Sequence, residues 1–68
     1  MITFYIITSS DIAYTAVIEY LISHSLTFSK DTSSGPTVLE VEGCVADYKY
    51  FKDLIDNNQL HAQIHEVI

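Results

Sequence analysis

SSDIAYTAVIEYLISHS, residues Ser9 to Ser25, is the stretch whose reading decides the fold. Ile12, Ala13, Ala16, Val17, Tyr20 and Leu21 recur at helical spacing and form one apolar stripe. Tyr14, Ile18 and Ile22 form a second stripe beside it, and only Thr15, Glu19 and Ser23 make a polar line. Ser9 or Ser10 supplies the N-cap, because a serine hydroxyl accepts an orphan N–H of the first turn. Asp11 follows in that turn, where the helix dipole favours negative charge. The first stripe is expected to cover a sheet. The second needs another partner, either a second helix of the chain or another subunit.

Sheet signals flank this helix. Ile2 to Thr8 alternates, with Ile2, Phe4 and Ile6 on one side and Thr3, Tyr5 and Ile7 on the other. Large apolar groups on both sides point to a central strand, covered on one face and partly on the other. Leu26 to Ser29 alternates again as a short strand, and KDTSSGP (Lys30 to Pro36) is turn chemistry throughout. Thr37 to Glu42 is the next strand, with Leu39 and Val41 on one face and Val38, Glu40 and Glu42 on the other. Gly43 ends it. Cys44 to Asn57 reads as a second helix, with Val45, Tyr48, Phe51, Leu54 and Ile55 inward and Asp47, Lys49, Lys52, Asp53 and Asp56 outward. Lys49 with Asp53 and Lys52 with Asp56 sit at i, i+4 in the less favourable orientation. Asn57 and Asn58 are a C-terminal stop. Leu60 to Ile68 alternates once more and reads as an edge strand.

The order β-α-β-β-α-β over residues 1–68, a single domain, predicts an α+β ferredoxin-like fold: a four-stranded antiparallel sheet with two helices on one face, the first and third strands central. The segment Gly35-Pro36-Thr37-Val38-Leu39-Glu40-Val41-Glu42-Gly43 resembles the proline-strand-turn segment of glutaredoxins. That resemblance implies a redox cysteine pair near Ser9 to Tyr14 and a helix between Ser29 and Pro36. The chain has no cysteine at the first place and no room at the second, so no activity is carried over.

Composition narrows the function classes. The chain has 68 residues and a net charge of −6 from nine acidic and three basic residues. All three basic residues are lysines (Lys30, Lys49 and Lys52), too few to neutralise a row of phosphates. Direct binding to nucleic acid or to an anionic membrane is not expected. Cys44 is the only cysteine, which leaves no intrachain disulfide and no cysteine-rich metal site. The run MITFYIIT is short and lacks a basic flank, so it reads as neither signal peptide nor spanning helix. With the lone thiol, this leads to the expectation of a cytoplasmic protein. A domain this small is marginally stable alone, and with 49% apolar residues self-association is the natural supplement.

His61 and His65 are the first candidates for chemistry. In a strand they share a side but lie about 13 Å apart, too far for one ion. In a helix their spacing would suit zinc. The open sheet face would gather His61, Gln63 and His65 with Thr3, Tyr5 and Ile7 and with Val38, Glu40 and Glu42. With carboxylates and no cations, that face suits a protein partner better than RNA bases. Histidine-carboxylate contacts there would make association pH-sensitive. Cys44 opens the second helix, where a thiolate is favoured, but it has no companion base and is expected to be a partly buried structural thiol. Tyrosine is enriched at interfaces, and two of the five tyrosines, Tyr14 and Tyr50, fall off the core stripes. No oxyanion hole, phosphate cradle, metal set or cofactor motif is visible, so an enzyme is the least supported class.

The expectation is a small acidic protein-binding module, a homo-oligomer and most simply a homodimer, with an unidentified protein partner. Its candidate interface is Tyr5, Tyr14, Ile18, Ile22, Glu40, Tyr50, His61 and His65. Two other classes stay open. One is a regulatory domain sensing a small ligand at a subunit interface, resembling the amino-acid-binding domains built on this fold. The other is an acidic inhibitor that mimics nucleic acid, against which the scattering of the carboxylates argues.

Overall fold

Alternation in the first strand sets the layering. Residues 1–33 and 35–67 are described by a computed structural model of the chain. Strand β1 (Ile2–Thr8) buries Phe4, Ile6 and Thr8 and leaves Thr3, Tyr5 and Ile7 half-buried. Helix α1 (Asp11–Ser23) and strand β2 (Thr27–Asp31) follow, then β3 (Thr37–Gly43), α2 (Val45–Asp56) and β4 (Ala62–Val67). The four strands form one antiparallel sheet in the order β2-β3-β1-β4, so β1 and β3 are central. The fold is α+β. The expected turn at Ser34 and strand residue at Ile68 lie outside the described residues.

The core lies on one side of the sheet. Phe4 and Ile6 of β1 and Leu39 and Val41 of β3 share one buried cluster with Ala13, Val17 and Leu21 of α1, Phe51 of α2 and Leu60. Register explains the pairing of faces: Phe4 lies opposite Val41 and Ile6 opposite Leu39, so inward residues of neighbouring strands fall in rows. Ser10 caps α1 by accepting the Ala13 N–H. Both helices end in the same way. Ser25 and Asn58 take left-handed conformations (φ 55° and 58°), and the next N–H groups, of Leu26 and Gln59, donate back to Leu21 and Leu54 carbonyls.

Several expectations are corrected. Helix α1 is shorter than Ser9 to Ser25 and its apolar stripe is narrower. Ile12 is 86% exposed, and Ala16 is also exposed, because the line Ala13-Val17-Leu21 points at the sheet and these two lie a third of a turn away. Tyr14 and Ile18 of the second stripe pack against the core within the chain, so they need no second subunit, whereas Ile22 is 65% exposed. Lys30 and Asp31 belong to β2 instead of the loop. Asp31 then starts the turn by accepting the Ser33 N–H and hydroxyl. Strand β3 extends through Gly43. Helix α2 begins one residue later than expected, with Cys44 as its N-cap, and ends at Asp56. Val45 is exposed, not inward, and Asp47 is buried, not outward. Strand β4 starts at Ala62, leaving Leu60 buried in the preceding loop and His61 outside the strand. Lys52 and Asp56 form the ion pair expected of them, at 3.7 Å and exposed, a geometry that contributes little.

Candidate functional site

Two surfaces bring side chains together. The first is the outer face of the sheet, which no helix among the described residues covers. Tyr5 stands opposite Glu40 of β3 on one side and His65 of β4 on the other. Ser29 of β2, opposite Glu40, extends this row to Ser29-Glu40-Tyr5-His65. A neighbouring row reads Thr27-Glu42-Thr3-Val67, and the other reads Asp31-Val38-Ile7-Gln63. Thr3, Tyr5, Ile7 and Val38 are half-buried here by their neighbours alone, and Val67 is exposed. Asp31, Glu40 and Glu42 put three carboxylates on this face, and the cation-forming group among its strand residues is His65. At one end, a shallow depression of about 520 Å³ is lined by Ile7, Ser9, Pro36, His61, Ala62 and Gln63.

The second is the junction of the two helices. The Tyr20 hydroxyl donates to Asp47 Oδ1 at 2.8 Å. Asp47 Oδ2 accepts the Cys44 N–H at 3.0 Å and the Cys44 thiol at 3.2 Å. The Cys44 N–H, first among these donors, holds the Asp47 carboxyl below the usual carboxylate range. Burial, reinforced by the bond to Asp47, pushes the Tyr20 phenol up to about 12. Tyr20 is also the centre of an aromatic stack, with His24 at 4.0 Å on one side and Tyr50 at 4.2 Å on the other, and Phe51 meets its edge at 4.8 Å. Asp47 already accepts three hydrogen bonds, so this cluster ties α1 to the start of α2. Cys44 is exposed, which corrects the expectation of a partly buried thiol.

The sequence-derived candidates therefore separate. Tyr5, Glu40 and His65 come together in one row, whereas His61 precedes β4 and lies beside Ile7 and Gln63 at the end of the sheet. Tyr14 and Ile18 pack on the core, and the Lys30 ammonium lies 4.8 Å above the Tyr14 ring. Ile22 is exposed alone, and Tyr50 belongs to the helix-junction stack. Because β4 is a strand, the helical spacing that would suit zinc at His61 and His65 does not arise. Among the described residues no group of three or more His, Cys, Asp or Glu is placed to hold a metal, and no helix is long and apolar enough to cross a membrane. Hydrophobic periodicity missed Asp47 and Tyr20. A signal for Asp47 was present: an acidic residue three positions after a helix N-cap is the reaching partner of a capping box.

No protein-family model, no curated protein and no solved structure matches this chain.

Proposed function

We propose that this chain is a small acidic protein-binding module on a ferredoxin-like fold, that it self-associates, and that the outer face of its sheet is the binding surface. The strand order, with β1 and β3 central, and the single core joining both helices to one side of the sheet support the fold. The observation that carries the function is the uncovered row Glu40-Tyr5-His65, bordered by half-buried Ile7 and Val38. An aromatic group amid apolar neighbours, rimmed by charge, is the pattern of a protein interface. Sedimentation velocity over about 10 µM to 1 mM tests the self-association half. Mass increasing with concentration, and abolished by Tyr5→Asp in a chain that stays folded, is the expected result. A compact monomer throughout that range would overturn it.

The depression beside His61 favours a second reading, a domain that senses a small ligand. Ser9, His61 and Gln63 set polar groups around its apolar wall of Ile7 and Pro36. A thermal-shift screen with amino acids and nucleotides separates the two readings, since only the second expects a ligand-dependent rise in Tm.

A further inference from the structure

Resting on the proposal that the outer sheet face self-associates, we infer that two copies meet there about a two-fold axis running along β1 at Tyr5, so that Glu40 of each copy lies against the partner's His65. The order of charges in the row Glu40-Tyr5-His65 selects this axis, while in the row beside it the same axis lays Glu42 over the partner's Val67. Glu40 and His65 flank Tyr5 on opposite sides, each one strand away, at about 4.8 Å. A two-fold along β1 exchanges left and right but keeps each row at its height. It therefore lays Tyr5 over the partner's Tyr5 and Glu40 over the partner's His65, twice per dimer.

Other two-folds are worse. An axis across the strands sets Glu40 against the partner's Glu40, which is repulsive between chains of net charge −6. An axis between β3 and β1 overlaps all four strands, but it sets His65 against serine and brings the two Glu40 carboxylates onto neighbouring strands. The usual angle of about 30° between packed sheets displaces groups one strand from the axis by only about 2–3 Å, within side-chain reach.

One consequence follows. The overlapped patch, three strands wide and six residues long, spans about 14 by 20 Å, well short of the roughly 800 Å² per partner of a stable complex. The dimer is therefore weak and strongly concentration-dependent. Across its own sheet His65 faces Tyr5, with Glu40 beyond it, and from the partner it would face Glu40.

The test is a charge swap read by sedimentation at pH 6. Glu40→His and His65→Glu should each weaken association about tenfold or more, and the double variant Glu40→His/His65→Glu should return to within about threefold of wild type. Circular dichroism checks that each variant is folded, and all substitutions lie on an exposed face. A double variant no tighter than the singles, or a wild-type dimer indifferent to every one of these changes, overturns the pairing while leaving self-association intact. A wild type monomeric up to about 1 mM removes the self-association on which this pairing rests.

Discussion

The Tyr20 hydroxyl lies 2.8 Å from Asp47 Oδ1, and this one bond joins the last turn of α1 to the first turn of α2. The same carboxylate caps α2 through the Cys44 N–H. Removing either partner has unequal effects. Tyr20→Phe loses one hydrogen bond and leaves Asp47 with both Cys44 donors, a cost of about 1 kcal/mol. Asp47→Ala loses the bond and the cap together, a cost of about 2 kcal/mol. Urea unfolding of both variants and of the double variant should show Asp47→Ala the weaker single, with the double less destabilised than the sum.

The same pair fixes a pH window. The Tyr20 phenol titrates at about 12 in the folded chain against 10.0 ordinarily. The folded state therefore holds this proton more tightly, and the stabilisation is complete below 10.0 and fades as pH rises towards 12. Asp47 is shifted down from 3.8, so its stabilisation is complete above that value and is lost as pH falls below it. Between these limits the pair contributes a constant amount. Thermal unfolding should show Tyr20→Phe with a shallower alkaline loss than wild type, and Asp47→Asn with a shallower acid loss. Identical limbs in variant and wild type would contradict the assignment.

The stripe on α1 divides into residues that hold the fold and residues that do not. Val17 is fully buried between Ala13 and Leu21, and Val17→Ala should cost about 2 kcal/mol. Ile12 is 86% exposed, and Ile12→Ser should change stability by less than about 0.5 kcal/mol. Chemical denaturation of both variants checks this.

That division shows where periodicity stops informing. Alternation in β1 and β3 identified inward Phe4, Ile6, Leu39 and Val41, because a period of two allows only two faces. On α1 apolar residues occupy nearly the whole circumference, so the stripe read from the sequence holds Ala13, Val17 and Leu21 but also Ile12 and Ala16, which face solvent. Only the packing of Ala13, Val17 and Leu21 separates the two groups. Asp47 was placed outward by its charge, and it is inward because a helix cap and a tyrosine satisfy its oxygens. The row Glu40-Tyr5-His65 needed only correct register, and its members were legible as candidates. Tyr14, Ile18 and Tyr50 were not separable from them, because long side chains beside a core stripe fold back onto it.

Ser25 closes α1 with φ 55°, a conformation that costs a residue bearing a Cβ about 1 kcal/mol. Glycine adopts it without strain. Ser25→Gly should therefore raise stability by about 0.5–1 kcal/mol, despite the greater freedom glycine gives the unfolded chain. An unchanged or lowered urea midpoint would show that the Ser25 side chain contributes more than the backbone relief.

Gly43 ends β3 against the residue that caps α2. A Cβ placed there would sit 3.0 Å from Asp47 Oδ2 and 3.4 Å from Asp47 Cβ. The carboxylate cannot retreat freely, because Cys44 and Tyr20 hold it from both oxygens. Gly43→Ala should therefore destabilise the chain by about 1–2 kcal/mol through the displaced cap. Its partner experiment separates this from any general effect of alanine at a strand end. In an Asp47→Ala background the obstructing carboxylate is gone, and Gly43→Ala should then cost little. Equal cost in both backgrounds would place the penalty on the strand, not on the cap.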